Sequence, residues 1–579
     1  MDKNLDRWVK QTSISRRDFM KVLGVAGAAA GLTGTGAKAF ASGTSGEPRV
    51  LSVNQSNGDR PELVIGVTGL PPVLDPAQGS FFSIVGSRTT PIFHEPLLDI
   101  DYKHGNPVGF GSNIIPALAE GWQQVDDTTL DVFLRDGILF QDGTPITADD
   151  VVYTINRIID PNTDPKLKAV TTFFSTFKSV EAIDPKTVRV TTKQPDATLL
   201  DRLTVAYIVP KAVVEKDGIA NYALMPIGAG AYKVSEFVPN DHLTLESFDQ
   251  FYGGTPPFSK VTIRVIVEVA TRMAAFSSNE IQLTTDVPPD QISQLQGDSN
   301  NVITSIGASN AHFLFFNTKQ KVLSDVRMRQ ALTLSIDRQL LVDTLWMGNA
   351  DLMRGYQVPE WGSMYNPDRP FFTYDLDQAK KLLDEVDYDG TEISFRGPDG
   401  YYPLGNDAIE AIVGMWQDLG IKAKVDLLQP AAYTASFPTL MVGFISAGLN
   451  PFDPEMNFST LWDKNGTFQA DFWTPEDPKF NQDLDLLTST LDTKARFNAY
   501  QEALDIWEKE VPATMLYRIH AIYGQKKSVG WTPYTVFNMD LRPANFGTAA
   551  PTGGATPTSG TPEAGEASPI ASPEASPAS

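Results

Sequence analysis

The side chains able to do chemistry in this 579-residue chain are mostly acids: 70 Asp and Glu, against five His and no Cys. Without thiols there is no thiolate metal site, no disulfide and no cysteine nucleophile. The histidines are His94, His104, His242, His312 and His520. No two stand four apart, the spacing at which a helix offers two imidazoles to one zinc ion, and His94-Glu95 lacks the second histidine of a zinc-protease motif. Asp160-x-Asn162-x-Asp164 opens like a calcium loop, but Pro165 stands where glycine must turn the chain and no glutamate closes it. Gly228-x-Gly230 has Lys233 where the third glycine of a phosphate loop would fall, and no Gly-x-Ser-x-Gly elbow is present. Acids that could pair for glycoside hydrolysis abound, and nothing singles one pair out. No catalytic constellation stands out among these residues.

What must position these groups is an alternation of short strands and helices, an α/β arrangement without a fixed repeat. Residues 63–67 and 421–427 read as strands. Residues 331–346, 378–386 and 408–419 read as helices, the last ending at Gly420. The stretch 116–154 is the most patterned. Leu130, Val132 and Leu134 alternate with polar neighbours as in a half-buried strand, and Asp142-Gly143 is a turn dipeptide before a second short strand. Thr147 with Asp150 predicts a capping box, and Val151, Val152, Ile155, Ile158 and Ile159 share one helical face up to Asp160-Pro161. Asp149 and Asp150 suit a helix N-terminus better than a ligand.

In order and spacing, that stretch resembles the signature of the extracytoplasmic solute-binding proteins of ABC importers, in the family handling oligopeptides, dipeptides and nickel (family 5). Further blocks match in the same order: Leu74-Asp75-Pro76, then Phe93-His94-Glu95-Pro96-Leu97-Leu98, then Gly228-Ala229-Gly230-Ala231-Tyr232. Phe316-Asn317-Thr318 follows, with Asp325 to Ala331, Ser335-Ile336-Asp337-Arg338 and the closing Gly530-Trp531. The resemblance covers about residues 60–545. It implies the large type II periplasmic-binding-protein fold: two α/β lobes joined by a two-strand hinge, the first lobe carrying an inserted subdomain. The first lobe's core would comprise 60–102, 224–317 and 513–548, with the inserted subdomain at 103–223 and the second lobe at 318–512. The crossing strands are expected near 313–317 and 516–523, and the cleft between the lobes should close on a ligand and exclude water.

The ends carry other information. Ser15-Arg16-Arg17-Asp18-Phe19-Met20-Lys21, with a Gly/Ala-rich run to Thr33, resembles a twin-arginine export signal. Residues 1–41 would be the signal peptide, cut after Ala41 or Ala39, and 42–59 a polar spacer. The apolar run is too short for an ordinary transmembrane helix. Export by the Tat translocase, which moves folded proteins, places the chain outside the cytoplasmic membrane. Without cysteine a lipoprotein anchor is excluded. Residues 549–579 are Pro, Thr, Ser, Gly and Ala with three Glu and one large apolar residue, Ile570. Such a tail cannot bury enough surface to offset its ordering entropy. The formal net charge of −23 argues against nucleic acid as a partner.

The resemblance also nominates a ligand site. In the family, a segment bearing Asp-Pro in the second lobe helps form the pocket; here it reads Asn450-Pro451-Phe452-Asp453-Pro454. Peptide binders often carry an aspartate three residues before that Asp-Pro aspartate, pairing with the ligand's α-ammonium, and this chain has Asn450. Asn accepts a hydrogen bond but lacks the charge. On this register Asn450→Asp should strengthen binding of peptides with free amino termini. Phe81 and Phe82 could line the cleft mouth; Tyr207, Tyr401 and Tyr402 are further aromatic candidates, with Trp361, Trp462 and Arg396 behind them. The implied function is capture of a small solute, a short peptide first and an oligosaccharide or other non-peptide solute second, and delivery by a monomer to ABC permease subunits. No cofactor is called for, and a secreted hydrolase is the reading from another class.

Overall fold

The structure is a computed structural model, and it describes residues 60–78, 83–102, 114–160, 165–449, 453–464 and 466–547. The signal segment, the spacer, the tail, Phe81, Phe82, Asn450, Phe452 and most of the calcium-like loop lie outside the described residues.

One sheet of eleven strands runs through the molecule. Its first wing is built on Glu62–Val67, an alternating ELVIGV segment whose Leu63, Ile65 and Val67 are buried. That strand pairs in parallel with Lys260–Val265, which pairs antiparallel with His242–Ser247 and through it with Tyr232–Val238. The second wing holds Ile393–Pro398 parallel to Ala423–Leu428, with Val442–Gly448 beside them. Helices cover this wing, among them Leu376–Glu385 and Gly405–Asp418. The helix expected at 331–346 is two, Val326–Leu334 and Arg338–Thr344. Apolar periodicity runs across the break, but Asp337 accepts a hydrogen bond from Leu340 N at 2.9 Å and starts a new helix.

Two long strands, Asn301–Phe316 and Ala513–Lys526, join the wings. They pair antiparallel from Asn301 opposite Lys526 to Phe315 opposite Ala513. The ladder slips between Gly307 and Ala311 and again between His312 and Phe313, at the edge of the 313–317 span expected from sequence. Arg518 fills the gap. Its Nε donates to Ala308 O and its Nη2 to Gly307 O, each at 2.7 Å, and Glu360 balances its charge at 2.8 Å. A guanidinium here supplies donors that the broken ladder does not.

A separate four-stranded antiparallel sheet falls in the chain between the strands Glu62–Val67 and Tyr232–Val238. It contains the most patterned stretch of the sequence. The strand Thr129–Leu134 buries Leu130, Val132 and Leu134, Gly143 has φ 86°, and the helix Ala148–Ile159 buries Val151, Ile155 and Ile158. Asp150 Oδ2 accepts from Thr147 N at 3.0 Å, and Asp149 is exposed. Both acids serve the helix start.

Buried contacts of Asp75 and Gln141 lock this sheet to the first wing. Asp75 of the Leu-Asp-Pro block is fully buried and pairs with Arg157 at 2.6 Å. Gln141 donates to Phe93 O, Gly230 O and Tyr232 O and accepts from Gly228 N, all within 3.1 Å. Gly228 and Gly230 are needed for that approach: a Cβ on either would lie within 2.6 Å of the Phe93 backbone. The glycine turn is a packing device that fixes the backbone just before Glu95.

Candidate functional site

The chain leaves the helix Ile84–Phe93 at His94, and the next two residues are held from the far side by residues 206–208. Ile208 N donates to Glu95 O, Leu97 N donates to Ala206 O, and Pro96 and Tyr207 form a single antiparallel bridge. This brings Glu95, Asp99, Tyr102 and Tyr207 to one cavity, which the segment after the last long strand completes with Tyr534, Asn538, Asp540 and Arg542. The Tyr102 ring stacks on Tyr534 at 5.0 Å and 22°.

Arg542 organises the charges. Its Nε and Nη2 donate to the two oxygens of Asp540 at 2.9 and 3.0 Å, and its Nη1 reaches Asp99 Oδ2 at 2.6 Å. Glu95 Oε2 is farther, at 3.5 Å, and also accepts from Tyr252 Oη at 3.2 Å. Glu95 Oε1 is buried with no hydrogen-bond partner among the described residues. Burial pushes the Glu95 carboxyl up to about 8, the Arg542 charge opposing it too weakly. At Asp540 burial pulls the same way, but the charge and two hydrogen bonds of Arg542 outweigh it and hold the carboxyl below its ordinary value. Burial also lowers His94 to about 4, so its ring is neutral at neutral pH.

A second group of charges lies between the inserted sheet's neighbourhood and the second lobe. Arg202, on the short helix Leu199–Leu203, pairs with Asp196 at 2.8 Å and with Glu455 at 2.9 Å, all three side chains being nearly inaccessible. Thr198 and Thr488 both donate to Glu455, and Ala197 N donates to Thr488 O. Asp453 pairs with Arg496 at 2.8 Å and accepts from Glu455 N at the start of the helix Glu455–Leu461. Beside them Asp201 is pushed up to about 8, by burial first and then by the Asp453 charge, against Arg496 and Arg202.

The residues nominated from sequence are thus spread. Tyr207 lines the cavity. Asp453 is placed in the interlobe network, where its carboxylate serves Arg496 and a helix start rather than opening onto the cavity, because a buried charge keeps its nearest partner. Tyr401 is 54% exposed and lies edge-on to Tyr402, whose ring packs near Phe444 and His312. Trp361 and Trp462 are core residues, and Arg396 is paired with Asp426 at 2.5 Å. Glu95, Asp99, Tyr102 and Arg542, which line the cavity, are not among the residues nominated from sequence. Glu95 was visible only as part of a fold block, and Arg542 stands 447 residues from it. Among the described residues no group of three or more His, Asp or Glu could hold a metal ion.

Comparison with known proteins places this geometry. Residues 13–33 match the twin-arginine translocation pathway signal sequence. The chain is 25% identical over 455 residues to the dipeptide-binding protein of Escherichia coli K12, covering 72% of this chain and 82% of that protein. Among solved structures it is similar to DppA of Helicobacter pylori in complex with the peptide STSA, with a TM-score of 0.72 and 23% identity over 83% of this chain and 96% of that one. AgaA of A. tumefaciens R10, in complex with agropinic acid, gives a TM-score of 0.71 with 23% identity over the same shares. These are type II periplasmic binding proteins, and the fold is theirs. Residues 113–469 match the bacterial extracellular solute-binding proteins, family 5. The chain belongs to that family: it is the solute-binding component of an ABC importer, exported to the periplasmic side by the twin-arginine route.

Proposed function

We propose that the solute is a short peptide, captured between the lobes by a monomer and passed to the permease chemically unchanged. The observation that carries this reading is the likeness to the dipeptide-binding protein of Escherichia coli K12, 25% identical over 455 residues and covered over 82% of its length. The small cavity at Glu95, about 20 Å³ and lined only by residues 91–102, 207 and 534–542, has room for a water molecule rather than a peptide. Tyr207, Tyr401, Tyr402, Phe81, Phe82, Asn450, Phe452 and Asp453 remain the residues proposed from sequence to face or support the cleft, with lobe boundaries at 60–102, 224–317 and 513–548 against 318–512.

The second reading, an oligosaccharide or other non-peptide solute, draws on Asn450, which lacks the charge that an α-ammonium favours. Mass spectrometry of the solute released when the exported protein is denatured distinguishes them. Peptides of a few residues support the proposal; a sugar overturns it in favour of the second reading. Hydrolysis of added peptide by the purified protein would overturn the non-catalytic part.

A further inference from the structure

We propose that the contact of residues 196–202 with Asp453, Glu455 and Arg496 is a proton-operated latch between the lobes: as they close, Asp201 takes a proton from solvent, so the closed form is favoured at low pH and loosened as pH rises. The proposal rests on the lobe boundaries given above and holds whatever the solute is.

The contact holds more acid than base. Four carboxyl groups, of Asp196, Asp201, Asp453 and Glu455, share it with the guanidiniums of Arg202 and Arg496, and none of the six residues is more than 5% exposed. Every nitrogen of the two guanidiniums is directed elsewhere than Asp201. Arg202 Nε and Nη2 go to Asp196 and Glu455, and its Nη1 donates to Phe173 O at 3.0 Å. Arg496 Nη1 and Nη2 hold the two oxygens of Asp453, each at 2.8 Å, and its Nε donates to Leu487 O at 2.9 Å. Asp201 is the acid left over, beside the Asp453 charge and sheltered from water. A buried carboxylate with no cation of its own and a like charge nearby is strongly disfavoured, and protonation relieves it.

The two lobes supply the two halves of this arrangement. Asp196, Asp201 and Arg202 lie in the inserted segment, and Asp453, Glu455 and Arg496 in the second lobe. With the lobes apart, Asp453 is withdrawn, water reaches Asp201, and its carboxyl returns to the ordinary value of 3.8. With them together, burial first and then the Asp453 charge push it up to about 8, with Asp196 adding and Arg496 and Arg202 opposing. Tyr102 faces it from the side of the Glu95 cavity. Closure therefore binds a proton between pH 3.8 and about 8. The contribution to the closed form is complete below the lower value, falls about tenfold per pH unit, and is lost above the upper one.

The chain has no cysteine, so spin labels on Lys178→Cys in the inserted segment and Glu410→Cys in the second lobe, both exposed, report lobe separation by electron–electron double resonance. In the solute-free exported protein the ratio of the short-distance to the long-distance population should fall about a hundredfold between pH 6 and pH 9. Asp201→Asn, which places a neutral amide where closure demands a neutral acid, should keep its pH 6 distribution at pH 9. A wild-type distribution unchanged over that range overturns the latch, whether or not the variant folds. So does a pH response that Asp201→Asn retains in full. No solute enters these measurements, so failure of the latch leaves the peptide reading standing, and recovery of a bound sugar in place of a peptide leaves the latch standing.

Discussion

His312 is a titratable side chain that the fold uses for packing. It is one of only five histidines, it lies on a strand linking the lobes, and its ring is fully buried against Trp346, Tyr402, Phe444 and Tyr517 at 5.1 to 6.2 Å. Neither ring nitrogen has a hydrogen-bond partner among the described residues, and burial lowers its pKa to about 3. Protonation is therefore favoured in the unfolded chain, with its ordinary value of 6.5. The stability that neutral His312 contributes is complete above pH 6.5 and is lost progressively as pH falls towards 3. His312→Phe should raise stability by about 1 kcal/mol at pH 7 by removing the unpaired polar atoms, and by more at pH 5. Thermal melts across pH 4.5 to 8 check this; parallel curves for variant and wild type would contradict it. The candidate site was only partly legible at this scale. Tyr207 is nominated only from its place in the inserted segment, and it forms a single bridge to Pro96. Glu95 and Arg542 could not be paired on paper, because their meeting depends on the fold of a chain in which they stand 447 residues apart.

At the scale of elements, the local patterns carried further. The strand, turn and capped helix of residues 116–154 follow from alternation, a positive-φ glycine and an N-terminal carboxylate, all short-range causes. The slip of the long strands at Gly307 was not visible, because an Arg518 more than two hundred residues away satisfies the carbonyls it exposes. The same limit applies to the contact of the helices Leu199–Leu203 and Glu455–Leu461. Their Arg202–Glu455 pair is 2% exposed on both sides and joins residues 253 apart in the chain, on either side of the proposed lobe boundary. Losing one partner of such a pair strands the other charge at a cost of about 3–5 kcal/mol. Arg202→Met should accordingly weaken closure: the solute-free protein should show a larger radius of gyration by small-angle scattering and bind solute less tightly. Adding Glu455→Leu should restore part of the loss, since it removes one of the two buried carboxylates that Arg202 serves and leaves Asp196. An unchanged radius and affinity in Arg202→Met would show that this contact does not hold the lobes.

At the scale of the whole molecule, two α/β wings share one continuous sheet, and the small cavity of acids and tyrosines is lined only by residues 91–102, 207 and 534–542. The fold was legible because many modest sequence blocks occur in one order, and the fold is shared with a solved structure at 23% identity. The ligand was not, because specificity sits in few side chains drawn from distant segments. A protein that binds solute only when folded gains stability by mass action, and one that performs no chemistry leaves the solute intact. The most direct test is the thermal unfolding of the exported protein against graded concentrations of short peptides, with the peptides assayed afterwards. A saturable rise in melting temperature is expected, with every peptide recovered whole. A melting temperature that peptides leave unmoved and oligosaccharides raise, or peptides recovered cleaved, would contradict it.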